Sequence, residues 1–95
     1  MRECVIHGAQ IADWAALYDA IAVDLDFPEW FGRNLDALYD CLTEVDDCRI
    51  TIYQWNALAE TLGEKSNALR RVLTESGLEN PGLVVCILED EADEI

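Results

Sequence analysis

The sequence predicts an α/β domain: a small, mostly parallel sheet of three strands with about four helices packed against it. Three observations predict it. Apolar β-type runs occur at three places, stretches with helical spacing lie between them, and 52 % of the 95 residues are hydrophobic, enough for one modest core. Helices between successive strands supply the crossovers that parallel pairing needs.

Each element has its own signal. Cys4-Val5-Ile6 is a short first strand, closed by His7-Gly8. Asp13 is placed to cap a helix running to about Leu25, because Leu17, Ile21 and Leu25 share one stripe while Asp19 and Asp24 fall elsewhere. In Phe27-Pro28-Glu29-Trp30-Phe31-Gly32 the proline disfavours helix at the residue before it, which predicts an aromatic-bearing loop. Asn34 is a good cap for a second helix from Leu35 to about Thr43. Ile50-Thr51-Ile52-Tyr53 is the strongest β-branched run, and Asn56 to Leu62 predicts a short helix ending at Gly63. Ser66 is placed to cap a fourth helix through Ser76, with Leu69, Val72 and Leu73 inward and Gly77 at its carboxyl end. Asn80-Pro81-Gly82 turns the chain into the continuous apolar run Leu83 to Leu88, which predicts a strand buried on both faces or at the sheet centre. Strand order is not legible. Residues 1–88 form the expected domain, and 89–95 form an acidic tail that reads as a solubilising, partly disordered end.

Charge narrows the function. Twenty Asp and Glu face six Lys and Arg, a net charge of −14. Affinity for nucleic acid comes largely from basic residues releasing counterions, so this balance argues against nucleic acid and against anionic membranes. A basic partner is the natural complement, and the strong charge favours a monomer when free. The amino terminus lacks a secretory pattern and no apolar run approaches the 18 or so residues that cross a bilayer, which leads us to expect a cytoplasmic protein. Cys4, Cys41, Cys48 and Cys86 lack CxxC spacing and read as free, mostly buried thiols rather than a disulfide or zinc framework.

The most informative stretch runs from Asp24 to Asp47. It holds eight carboxylates, Asp24, Asp26, Glu29, Asp36, Asp40, Glu44, Asp46 and Asp47, against the single base Arg33. On the second helix Leu35, Leu38 and Leu42 form an inward stripe, while Asp36, Tyr39, Asp40 and Thr43 form a second one. Like charges four residues apart destabilise an isolated helix by about 0.2 to 0.5 kcal/mol, and Glu44 adds to this near the negative end of the dipole. Local stability does not select this pattern. A solvated helix face is the ordinary explanation, but here an aromatic lies in the outward stripe and Trp30 and Phe31 lie just before it. Rings beside acids are what a protein-binding surface uses for contact area and steering.

Phe27-Pro28-Glu29-Trp30-Phe31-Gly32-Arg33-Asn34-Leu35-Asp36-Ala37-Leu38-Tyr39-Asp40-Cys41-Leu42-Thr43 closely resembles the loop and second helix of the barstar family, intracellular inhibitors of barnase-type ribonucleases. A weaker likeness extends from Val5-Ile6-His7-Gly8 to Ile87-Leu88. The resemblance implies a three-stranded parallel sheet packed with helices, and a loop and helix that plug a ribonuclease active site. Carried over by position, it implies that Asp40 takes the place of an RNA phosphate and Asp36 meets a nearby basic side chain. Trp30 would cover or stack on a catalytic histidine, Tyr39 and Thr43 would flank Asp40, and Glu75 would make a peripheral charge contact. The family prototype has Tyr at Trp30 and Phe31, Trp at Tyr39, and Gly-Trp at Glu44-Val45. Glu44 thus adds a charge to the expected partner-binding set of Trp30, Asp36, Tyr39, Asp40, Thr43, Glu44 and Glu75. These departures point to a related nuclease with a differently shaped rim rather than to barnase itself. A role in immunity to a toxic nuclease follows from the same resemblance.

Other functions have less support. His7 is the sole histidine, and Ser66, Ser76 and the cysteines sit in no nucleophile motif, so we expect no enzyme. Asp36, Asp40 and Glu44 could offer oxygen ligands to Mg²⁺ or Ca²⁺, but their spacing lacks a calcium-loop pattern, and neither metal nor cofactor is expected. The remaining alternative is an acidic module or decoy for a basic partner that is not a nuclease.

Overall fold

In the computed structural model of the chain, residues 1–89 are described. Three strands, β1 (Arg2–His7), β2 (Cys48–Tyr53) and β3 (Leu83–Ile87), form one sheet in the order β1-β2-β3, with both pairs parallel. The helices are α1 (Trp14–Leu25), α2 (Leu35–Leu42), α3 (Trp55–Leu62) and α4 (Ser66–Glu79), joined by short 3-10 turns at Gly8–Gln10 and Gly63–Lys65. No helix among the described residues is long and apolar enough to cross a membrane.

Strand alternation decides where the core lies. Cys4 and Ile6 of β1, Cys48, Ile50 and Ile52 of β2 and Leu83 of β3 are buried on one face. In register with one another, they meet Leu17 and Ile21 of α1, Leu38 and Leu42 of α2, Leu58 of α3 and Leu69 and Leu73 of α4. The opposite face carries Glu3, Val5, His7, Tyr53 and Val84, all exposed. It is knit by the Arg49–Glu3 pair at 2.7 Å and by the stacked rings of His7 and Tyr53 at 5.4 Å. A sheet whose crossovers all advance in one direction with one hand places its helices on one side, which leaves the other side to solvent.

Several expectations need correction. β3 lies at the sheet edge, half-exposed after Leu83, so its apolar run marks neither a central nor a doubly covered strand. Ser66 is not a cap: the chain enters α4 directly from the preceding 3-10 turn, no side chain caps the helix, and Ser66 itself is buried. Nor does α4 stop at Ser76. It runs through Gly77 to Glu79, and since a Cβ at position 77 would sit 3.3 Å from Val85 Cγ2, that glycine serves close packing on β3 rather than termination. Glu89, the first residue of the expected tail, meets Arg70 at 2.6 Å and accepts a backbone hydrogen bond from Asn56. The rest of that tail lies outside the described residues.

Candidate functional site

The loop before α2 is shaped by aromatic packing. Phe31 is buried, edge-on to Phe27 at 5.1 Å and to Tyr18 at 5.8 Å. The Phe31 N–H donates to the Pro28 carbonyl at 3.0 Å. With Phe31 turned inward to anchor the loop, the neighbouring Trp30 points out and is 78 % exposed, a large apolar ring that the fold itself does not use. Arg33, held at a positive φ of 57°, pairs with Asp19 on α1. The one base of the acidic stretch is therefore engaged by α1 and forms no ion pair with α2's carboxylates.

Both ends of α2 are fixed. Asn34 accepts a hydrogen bond from the Ala37 N–H at 2.8 Å, closing the amino end. At the other end the Asn80 amide, just past α4, donates to the Leu42 carbonyl at 2.9 Å and the Val45 carbonyl at 2.7 Å. Thr43 donates its hydroxyl to the Asp40 carbonyl at 2.9 Å. Leu38, Cys41 and Leu42 are buried beneath, so the helix is seated along its length.

Its outer surface carries Asp36 and Asp40, and Glu44 follows in the turn past its end, all exposed, with Tyr39 and Thr43 half-buried beside them. Among the described residues none of these three carboxylates forms an ion pair, whereas Arg2, Arg33, Arg49 and Arg70 pair with Asp26, Asp19, Glu3 and Glu89. Glu75 joins the same face from α4, and Glu79, which the sequence pattern did not single out, stands with it. Tyr39 reports their proximity. Its phenol is raised above the usual value first by desolvation against the helices and then by the carboxylates of Glu79, Glu75 and Asp40. It stays a neutral hydroxyl among acids throughout the physiological range. The signal for Glu79 was its four-residue spacing from Glu75, legible only once α4 was known to continue past Gly77.

The structure thus brings Asp36, Tyr39, Asp40, Thr43, Glu44 and Glu75 onto one face formed by α2 and α4. Trp30 stands to one side, above a groove of about 320 Å³ that Glu44 also lines. No three His, Cys, Asp or Glu side chains among the described residues are arranged to hold a metal ion. Three of the cysteines are buried and Cys86 is half-buried. Fixed carboxylates beside exposed rings can offer charge-assisted hydrogen bonds to a cationic surface, at little entropic cost on this side of the contact.

Comparison with known proteins bears on what that surface is. A family profile described as Barstar (barnase inhibitor) matches residues 1–90. A protein of Bacillus subtilis (strain 168), YrdF, whose name marks it as a candidate ribonuclease inhibitor, is 44 % identical over 52 residues. That alignment covers 55 % of this chain and 57 % of the relative, so the two match over little more than half their lengths.

Proposed function

The chain belongs to the barstar family, and from that premise we propose that it binds one copy of a basic ribonuclease and occludes its active site. A nuclease site concentrates Arg, Lys and His to hold phosphate. A rigid helix presenting carboxylates competes for those groups with the substrate, oxygen for oxygen. In this reading Asp40 occupies the phosphate position and Asp36 meets a second cation. Tyr39 and Thr43 pack around Asp40, Trp30 covers the rim of the site, and Glu44 and Glu75 extend the negative surface.

The observation that carries the proposal is the row Asp36, Asp40 and Glu44: exposed, free of ion pairs among the described residues, the first two on a helix pinned at both ends and Glu44 in the turn just past it. Repulsion along this row costs the free protein stability, which a solvated face has no reason to accept. A partner's cations remove that cost.

The test is inhibition of a panel of small basic ribonucleases by the purified chain, with Asp40→Ala as the diagnostic variant. It should weaken the complex by about 2 to 5 kcal/mol, the range for truncating one member of a buried charge pair, for which barnase and barstar are the type example. A folded Asp40→Ala chain that binds within threefold of the parent sinks the site assignment. Recovery from lysate of a basic protein without nuclease activity, and of no ribonuclease, would indicate a decoy instead.

A further inference from the structure

The groove beside Trp30 has a composition that the phosphate-mimicking row does not explain. Leu25, Phe27, Pro28 and Val45 give it apolar walls, while Asp26, Glu44 and Asp46 stand around it. Arg2, its one base, is paired with Asp26 at 3.5 Å, so Glu44 and Asp46 remain without ion pairs among the described residues. The exposed Trp30 indole also lines the groove. An apolar channel with unbalanced carboxylates and an open aromatic face matches a long aliphatic stem ending in a flat cation.

We propose that this groove receives an arginine side chain of the bound ribonuclease, making it a second, rim-side recognition site distinct from the contact centred on Asp40. Arginine fits better than lysine. Its planar guanidinium stacks on an indole and forks to two carboxylates, whereas an ammonium is a strongly hydrated point charge. The groove shares Glu44 and Trp30 with the acidic face, so an inhibitor seated through α2 would bring the partner's surface directly over it. Discrimination among ribonucleases then depends on which of them carries an arginine at that place on its rim.

The inference rests on the inhibitory reading, and two measurements separate their failures. In the complex, Glu44→Gln and Asp46→Asn should each raise the dissociation rate about two- to fivefold. The effect should persist in 0.5 M NaCl, where long-range steering is screened. In the free chain, titration with N-acetyl-arginine methylamide should shift the NMR signals of the Trp30 indole and the Glu44 and Val45 amides. The norleucine and lysine analogues should shift them much less, and the double variant should abolish the response. Unchanged dissociation rates overturn the proposal, as does an arginine probe that moves only Asp36 and Asp40, or one that the norleucine or lysine analogue equals. If the chain inhibits no ribonuclease of the panel, the inhibitory reading falls while the probe titration still decides the groove.

Discussion

Cys4 is fully buried at the centre of β1, and its thiol is pushed up to about 12 by burial, with Asp24 adding through charge and a hydrogen bond. The ordinary value is 9.0, so the folded state favours the protonated form more than the unfolded state does. That preference is fully present below pH 9 and is lost as the pH climbs from 9 towards 12. Tyr18, Cys41 and Cys48, also raised by burial, push in the same direction. Denaturant unfolding from pH 8 to pH 11.5 should therefore show a steep alkaline loss of stability. Cys4→Ala, although less stable at pH 8, should lose less over that range; equal slopes in the two proteins would contradict the assignment. Individual residues of the site were unevenly legible. Asp36 and Asp40 could be placed outward from helical spacing alone, because Leu35, Leu38 and Leu42 fix which side is in. Trp30 could not, since in a loop no periodic spacing says which way a ring turns. Only the packing of Phe31 against Tyr18 and Phe27 decides it.

At the level of elements, α2 is held in place because its ends are tied by side-chain hydrogen bonds, one of them from a distant part of the chain. Asn80 lies 38 residues from Leu42 and 35 from Val45, and its side-chain oxygen also accepts from the Gly82 N–H at 2.9 Å. Asn80→Ala strands two carbonyls and an amide in a partly buried place. It should cost about 1 to 3 kcal/mol of stability by denaturant unfolding, and should loosen α2 enough to speed hydrogen exchange at Leu42 and Thr43. A loss below about 0.5 kcal/mol would mean that water replaces the tether. This bond also marks the boundary of what sequence reading reaches. The caps at Asp13 and Asn34 are legible because donor and acceptor lie three residues apart, and the three strands are legible because β-branched runs are local. The Asn80 tether, the packing role of Gly77 and the edge position of β3 are products of the assembled sheet. An apolar run such as Leu83 to Ile87 looks the same whether its second face meets a helix or water.

For the molecule as a whole, the governing quantity is a net charge of −14, and its two consequences respond to salt in opposite directions. Inside the free chain, excess carboxylates repel one another, most directly along Asp36, Asp40 and Glu44, which form no ion pair among the described residues while Arg2, Arg33, Arg49 and Arg70 pair with other carboxylates. Towards a cationic partner the same field attracts and orients. Mobile ions weaken both effects, with a screening length of about 10 Å at 0.1 M. Raising NaCl from 10 to 300 mM should therefore raise the melting temperature of the free chain while slowing its association with the ribonuclease. At low salt that association should approach the steered range of about 10⁸ to 10⁹ M⁻¹s⁻¹, for which barnase and barstar are again the type example. Asp40→Asn separates the two effects at a single site. Relief of its repulsion with Asp36 and Glu44 should stabilise the free chain by about 0.2 to 0.5 kcal/mol, while the complex weakens. Scanning calorimetry and stopped-flow association, run on the same samples across the salt series, check both slopes. If salt destabilised the free chain, or left association unchanged, the acidic face would be an ordinary solvated surface. Opposite slopes, with Asp40→Asn more stable alone and weaker in complex, are what a surface shaped for a cationic partner requires.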